Sequence, residues 1–482
     1  MLQYIAYKTI FYFNMFAIIY VVIVSMISII QMAISMAYTP AYLRKAKFSD
    51  MKRFSGSANM IPLSILVPAY NEEPVIVESI RSLLGLNYSV FEIIVINDGS
   101  SDGTLRAVTS AFGLRKISYP VRSKLSTEEV YGVYYNPDFP NLRLIDKQNG
   151  GKADALNAGI NLSRYPYFAS VDADSLLDSD ALIRIAMSFM EYKYTIAVGG
   201  IVRVANGCTI KNGEIRSIGL PKKSIARFQI AEYFRAFLVG RVGWSLFNSL
   251  LIISGAFGAF QKSVVLEVGG YTTDTVGEDM DLVLKLHKHM RKKKYKYRIS
   301  FLPDPICWTQ APETIKNLSG QRRRWHIGLI DSLGRSRGMF LNPRFGALGM
   351  LAMPYYFFIE LLGPVVEALG LILIPLSWFL GILSTEFLVL FFIATTGLGV
   401  ILSVGALAIE EYTFNKYIRL RDVFILSIYS IIENFSYRQM TMLFRLFGVF
   451  RYRKYKHSWS KIKRHEFSAP ESKISTASGA FR

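Results

Sequence analysis

The chain of 482 residues holds only two cysteines, Cys208 and Cys307, without Cys-x-x-Cys spacing. That argues against a disulfide framework or a zinc site, and it places the soluble part in a reducing compartment. No GxxxxGK[ST] loop is present, so ATP hydrolysis on such a loop has no support. No zinc-finger, helix-turn-helix or RNA-recognition pattern accompanies the basic residues, which argues against nucleic acid as a partner. Acidic residues are in deficit, 36 Asp and Glu against 56 Lys and Arg, for a net charge of +20. Such a balance suits anionic lipid headgroups or nucleotide phosphates. From Thr9 to Tyr38 there is no Lys, Arg, Asp or Glu at all. About 20 apolar residues cross a bilayer, so this run is long enough to span with tilt. It is too long, and too weakly basic ahead of its start, for a signal peptide.

Hydrophobic residues make up 51% of the chain and mean hydropathy is +0.27, values that call for a membrane component. After the first apolar run come Arg44, Lys45, Lys47, Lys52 and Arg53, which favour a cytoplasmic side and put the N-terminus outside. Gly346 to Leu383 is apolar again but interrupted by Glu360, Pro364, Glu367 and Pro375, and reads as one interfacial and one spanning helix. Phe387 to Ile409 is a cleaner span. Asp422 to Phe450 reads as one amphipathic helix lying on the cytoplasmic surface, because spanning would place the basic tail Arg451 to Arg464 outside. The expected organisation is a transmembrane helix over 1–40, a cytoplasmic catalytic domain over 41–340, interfacial and transmembrane helices over 341–410, an amphipathic helix and basic tail over 411–466, and a disordered terminus over 467–482.

Between the apolar regions, from Ile61, short apolar runs alternate with helical patterns, the texture of βαβ units and a mainly parallel sheet. Leu63 to Val67 reads as a strand delivering Pro68-Ala-Tyr70-Asn71-Glu72-Glu73 at its carboxyl end, where ligands bind in open α/β sheets. Glu92 to Ile96 runs into Asn97 to Thr104, a loop rich in Gly and Asp that suits ribose or base contacts or, as readily, a turn capping a helix. Lys116 to Pro140 has little periodicity and reads as an insertion or loop. After Leu142 to Ile145, Gly150-Gly151-Lys152 opens a helix, where backbone amides and a mobile ammonium can both face phosphate.

Phe168 to Val171 ends in Asp172-Ala-Asp174. Side chains two apart on an extended segment share a face, so the pair suits one Mg2+ or Mn2+ and the diphosphate it carries. Asp and Ser also simply end strands. Ile225 to Leu251 reads as a long helix, and Ser254 to Phe260 offers small residues for a sugar ring or for tight packing. Gly277-Glu278-Asp279 opens a helix whose dipole favours acids, and Asp279 also suits a general base accepting a hydroxyl proton. In Gln321-Arg322-Arg323-Arg324-Trp325 the arginines fit headgroups or a leaving diphosphate, and Trp325 offers a flat platform.

Taken in order, Asp98 after a strand, Asp172-Ala-Asp174, Gly277-Glu278-Asp279 and Gln321-x-x-Arg324-Trp325 before apolar helices resemble the membrane-integrated family 2 glycosyltransferases, which include the cellulose, hyaluronan and poly-N-acetylglucosamine synthases. The resemblance covers residues 60 to 385 or so. It implies an α/β, Rossmann-like GT-A domain with one Mg2+ or Mn2+ site. It assigns Pro68, Tyr70, Glu72 and Asp98 to the uridine of a UDP-sugar, Lys152 to the diphosphate, and Asp172 and Asp174 to donor and metal. Asp279 becomes the catalytic base, and Gln321, Arg324 and Trp325, with Glu278, serve acceptor and diphosphate. The implied reaction is inverting transfer of a hexose or N-acetylhexosamine to a growing β-linked polysaccharide, the nearest rival being transfer of one sugar to a lipid carrier or glycolipid. A non-catalytic nucleotide-sugar binder or a transporter ranks below both. Expected partners are the UDP-sugar, a polysaccharide or lipid-linked acceptor, the bilayer of the plasma membrane, and accessory membrane subunits. A single amino-terminal span and few later ones depart from the family pattern around a translocation channel.

Overall fold

The computed structural model describes residues 2–48, 60–120, 123–211, 214–414, 417, 419–450 and 452. Lys52, Arg53, the basic tail apart from Tyr452, and the terminus expected to be disordered therefore lie outside the described residues. One ten-stranded sheet forms the body, in the order Arg115–Ile117, Val130–Tyr135, Leu142–Lys147, Phe91–Asp98, Leu63–Ala69, Tyr167–Val171, Phe257–Gln261, Thr195–Val204, Arg298–Thr309, Ser175–Leu177. Leu63–Ala69 is parallel to Phe91–Asp98 and Tyr167–Val171, and Phe91–Asp98 is parallel to Leu142–Lys147. Ile65, Leu66, Ile93, Ile94, Leu144 and Phe168 on these strands are fully buried, as the continuous apolar runs of a sheet covered on both faces require. Their parallel pairing brings all four carboxyl ends to one edge.

The sheet is mixed, not mainly parallel. Phe257–Gln261 inserts antiparallel between Tyr167–Val171 and Thr195–Val204. A Cβ on Gly258 would stand 2.6 Å from Ile253, so Gly258 serves close packing in this strand, whereas Ser254, Gly255 and Ala256 ahead of it line a cavity. Lys116 to Pro140 also departs from the loop reading, since Arg115–Ile117 and Val130–Tyr135 add an antiparallel edge. Val130–Tyr135 is β-branched and aromatic, but a register shift at Val130/Gly132 interrupts its alternation.

Two helices, Tyr7–Arg44 within Leu2–Phe48 and Thr385–Phe414, are long and apolar enough to cross a membrane. Leu348–Leu361 and Gly363–Phe379 make a third if read as one span bent by 43°, the bend falling where Pro364 starts the second helix. The segment from Ile225 is α-helical to Tyr233, π-helical over Phe234–Arg241 and α-helical again only to Leu246. Asp422 to Phe450 is two helices, Leu420–Ile432 and Tyr437–Phe450. The break falls where Glu433 turns inward to Arg235 and Ser403 and becomes fully buried.

A second buried ion pair joins the sheet to the apolar helices. Arg203, on Thr195–Val204, meets Glu410 on Thr385–Phe414 with both side chains at most 1% exposed, and the guanidinium lies 5.4 Å from the rings of Trp308 and Phe414. Removing one member of such a pair strands a buried charge, whereas replacing both with apolar groups is often neutral. Arg203→Met should therefore destabilise the protein by about 3–5 kcal/mol in thermal unfolding in detergent, and Arg203→Met combined with Glu410→Leu should recover most of the loss.

Candidate active site

The nucleotide side is built from four parallel strand ends. Asp98 closes its strand 3% exposed and accepts bonds from Lys147 Nζ at 2.7 Å, Gly150 N at 3.0 Å, Gly151 N at 2.8 Å and Asn149 Nδ2 at 3.2 Å. Four donors fix this carboxylate as the anchor of the Asn149–Gly151 loop. Lys147, fully buried, also meets Asp154 at 2.5 Å. Gly151 has φ +85°, a left-handed conformation that glycine tolerates, and it hands the chain to the helix Lys152–Leu162. Nearby, Asn71 (φ 57°) accepts from Ser101 N at 2.8 Å, and Thr104 Oγ1 accepts from Glu72 N at 2.9 Å. Pro68, half-exposed Tyr70 and Glu72 thereby stand beside Asp98.

Asp172 and Asp174 do not lie on an extended face as their spacing suggests. Ser175 N bonds Asp172 O at 2.9 Å, so the pair occupies a tight turn between Tyr167–Val171 and Ser175–Leu177. The Asp172 side chain stays 29% exposed while Asp174 is buried. Among the described residues no group of three or more His, Cys, Asp or Glu forms a metal cage. A two-carboxylate half-site nevertheless suits a hard cation that takes its other ligands from phosphate and water, so the donor set fits Mg2+ or Mn2+.

Lys152 ties the site together. Its ammonium lies 2.5 Å from Asp172 and 3.7 Å from Glu278 and donates to Gly255 O at 3.0 Å. The same Gly255 donates its N–H to Asp279 Oδ2 at 2.9 Å, and Met280 N donates to Asp279 Oδ1 at 2.8 Å. Burial pushes Glu278 up to about 7 and holds Asp279 above its ordinary value, with Lys152 pulling both back. Burial works against the Lys152 charge too, but Asp172 and Glu278 outweigh it and its pKa ends above the usual lysine value.

The helix Ile315–Arg335 sits directly on the start of Glu278–Lys292, with Thr275 Oγ1 donating to Asp331 at 3.2 Å and Ser332 Oγ to Gly277 O at 3.3 Å. Gln321, Arg324 and half-exposed Trp325 on that helix line the same cavity as Asp279. All twelve residues singled out in the sequence line one cavity of about 1420 Å³, which continues between the apolar helices past Tyr20, Ser28, Ile374 and Thr395. Sequence reasoning passed over Asn149, Arg241, His326 and Arg438 on the same wall. Arg241, whose only signal was a charge on an aromatic helix, is packed 3.9 Å from the Phe237 ring.

The contact between the two helices rests on a pair of glycines. A Cβ on Gly328 would stand 2.8 Å from Gly277 Cα. Gly328→Ala should lower the thermal midpoint by the cost of overpacking, about 1–3 kcal/mol, whereas Gly334→Ala on the same helix, where a Cβ meets nothing within 4 Å, should be neutral or stabilising.

The model for glycosyl transferase family 2 matches residues 64–244, and that for glycosyl transferase family group 2 matches residues 167–402. Poly-beta-1,6-N-acetyl-D-glucosamine synthases of Staphylococcus epidermidis strain ATCC 35984 and Staphylococcus aureus strain COL are 33% identical over 269 and 268 residues, 55% of this chain and 54% of each relative. The chain thus spans about half the length of the curated relatives it matches. Among solved structures, the mannosyltransferase PcManGT of Pyrobaculum calidifontis in complex with GDP-Man and Mn2+ is similar with a TM-score of 0.49 and 18% identity, over 88% of this chain and 99% of that one. S. aureus TarS 1–349 in complex with UDP-GlcNAc is similar with a TM-score of 0.35 and 14% identity, over 79% and 92%.

Proposed function

Because the chain belongs to the family 2 glycosyltransferases and carries their GT-A α/β domain, we propose that it transfers a hexose or N-acetylhexosamine from a UDP-sugar to a growing β-linked polysaccharide at the membrane, with inversion. N-acetylglucosamine is the donor sugar favoured by the names of the curated relatives. The observation that carries this reading is the single cavity that runs from Asp98 past Asp279 and Trp325 into the apolar helices. A lipid-carrier acceptor taking one sugar is the second reading, favoured by the apolar wall that Val21, Val24, Leu371 and Phe391 give that cavity.

In this reading Pro68, Tyr70 and Glu72 hold the uridine, together with the loop that Asp98 anchors. Lys152 faces the diphosphate. Asp172 and Asp174 hold Mg2+ or Mn2+, which when bound neutralises diphosphate charge. Asp279 takes the proton of the acceptor hydroxyl as its oxygen bonds the anomeric carbon. The bond from that carbon to the diphosphate breaks on the opposite face, and UDP leaves with the electron pair. An α-linked donor gives a β-linked product. Gln321 and Arg324 steady the departing diphosphate, Trp325 supports the acceptor ring, and Glu278, 3.7 Å from Lys152, serves the acceptor and diphosphate. The apolar helices cross the plasma membrane with the N-terminus outside, residues 41–340 forming the cytoplasmic catalytic domain.

Purified full-length protein in nanodiscs, given UDP-N-acetylglucosamine with Mg2+ or Mn2+, should release UDP, and Asp279→Asn should lower the rate by about 10²–10⁴-fold while UDP still binds. Undiminished turnover by Asp279→Asn would overturn the base. The base must be ionised, and burial raises both carboxylates, Glu278 to about 7. Activity is therefore lost as pH falls through that raised range, so the acid limb of kcat/KM should lie well above the ordinary carboxylate value of about 4.

A further inference from the structure

We propose that Glu232 and Tyr437 are positioning residues that clamp Arg322 against Trp325, making the helix Tyr437–Phe450 part of the acceptor-binding machinery. The inference rests on Trp325 being the acceptor platform.

Arg322 and Trp325 are three apart on one helix and so share a face. The guanidinium carbon lies 4.3 Å from the centroid of the indole, within cation–π range, and Arg322 is only 3% exposed. It occupies the platform while Trp325 keeps 48% of its surface exposed on the cavity wall. The guanidinium is itself held from two other helices. Arg322 Nη2 donates to Glu232 Oε2 at 2.7 Å and to Tyr437 Oη at 3.3 Å, and Tyr437 Oη donates to the same Glu232 oxygen at 2.7 Å. Phe228 stacks on the Tyr437 ring at 5.0 Å and 16°.

Charge neutrality needs only the Arg322–Glu232 pair. The Tyr437 hydroxyl adds orientation, since it bonds both members and leaves the guanidinium plane one place to lie. One guanidinium nitrogen, Nη2, serves both the acid and the hydroxyl while the plane lies on the ring, whereas a lysine ammonium has no plane to stack. A sugar stacks on an aromatic face through its C–H groups and gains affinity from a platform already fixed in place. Helix Tyr437–Phe450 lies beyond both family-model matches, so neither assigns it a part in the site.

The test compares full-length wild type, Tyr437→Phe, Arg322→Lys and Trp325→Phe in nanodiscs. Acrylamide quenching is read as the difference from Trp325→Phe, and UDP release is followed against both UDP-N-acetylglucosamine and an added β-1,6-linked N-acetylglucosamine oligomer. With unchanged thermal midpoints, Tyr437→Phe should make Trp325 more quenchable and raise the acceptor KM by about tenfold, the worth of one hydrogen bond to a charged group, with donor KM within about twofold. Arg322→Lys should not restore wild-type behaviour. Unchanged Trp325 quenching, an unchanged acceptor KM, or a parallel rise in donor KM would each overturn the clamp. Absence of UDP release by wild type would instead sink the transferase reading, and the clamp's acceptor role with it.

Discussion

Three carboxylates from two distant parts of the chain, Asp172 and the adjacent Glu278 and Asp279, converge on the Lys152 ammonium, and the rest of the site is arranged around that one cation. Asp172 and Glu278 meet it directly, and Asp279 reaches it through the Gly255 peptide, whose carbonyl accepts from Lys152 and whose N–H donates to Asp279. Unit charges ~4 Å apart in an effective dielectric near 20 repel by about 4 kcal/mol, so without the ammonium these acids would separate or neutralise. Placing Lys152 is therefore a structural requirement before it is a catalytic one. Asp98 meets it by gathering the Gly150 and Gly151 amides, and Lys147 donates to the same carboxylate in the interior.

Much of this was legible in the sequence because it depends on where parallel strands end. A buried apolar run followed by a polar turn residue places that residue at the carboxyl edge whatever the neighbouring strand does, which is why Pro68, Asp98 and Asp172 could be located without knowing the strand order. The features that escaped depend on partners far along the chain. Phe257–Gln261 is too small-residued to announce a strand, and its antiparallel place is set by Tyr167–Val171 and Thr195–Val204. The break at Glu433 is visible only once Arg235, about 200 residues earlier, is known to receive it. Arg322 reads as one basic residue of three until Glu232 and Tyr437 are seen around it.

Buried charge does a second job where the sheet meets the apolar helices. Arg203 with Glu410 crosses that boundary, and Arg235 on the π-helical Phe234–Arg241 meets Glu433 at the break after Leu420–Ile432. Apolar packing between a sheet domain and long hydrophobic helices is tolerant of sliding, because one apolar contact resembles the next. A buried ion pair is not tolerant, since any displacement strands a charge. The two pairs therefore act as registers, one between sheet and helix and one between helices.

The same logic separates the two walls of the cavity. On the nucleotide side the elements are tied by side chains, Asn71 to Ser101 and Asp98 to its loop, which rotate and re-form their bonds. On the other side the helix bearing Trp325 meets the start of the one bearing Asp279 backbone to backbone at Gly277 and Gly328, flanked by the Thr275–Asp331 and Ser332–Gly277 bonds. Backbone contact at that distance has no rotamers to adjust. Asp279 and Trp325 consequently ride on elements in direct backbone contact, and main-chain packing sets the separation between that carboxylate and that ring. In the proposed reaction a bulkier or differently linked acceptor would have to fit that separation, because widening it unpacks both helices.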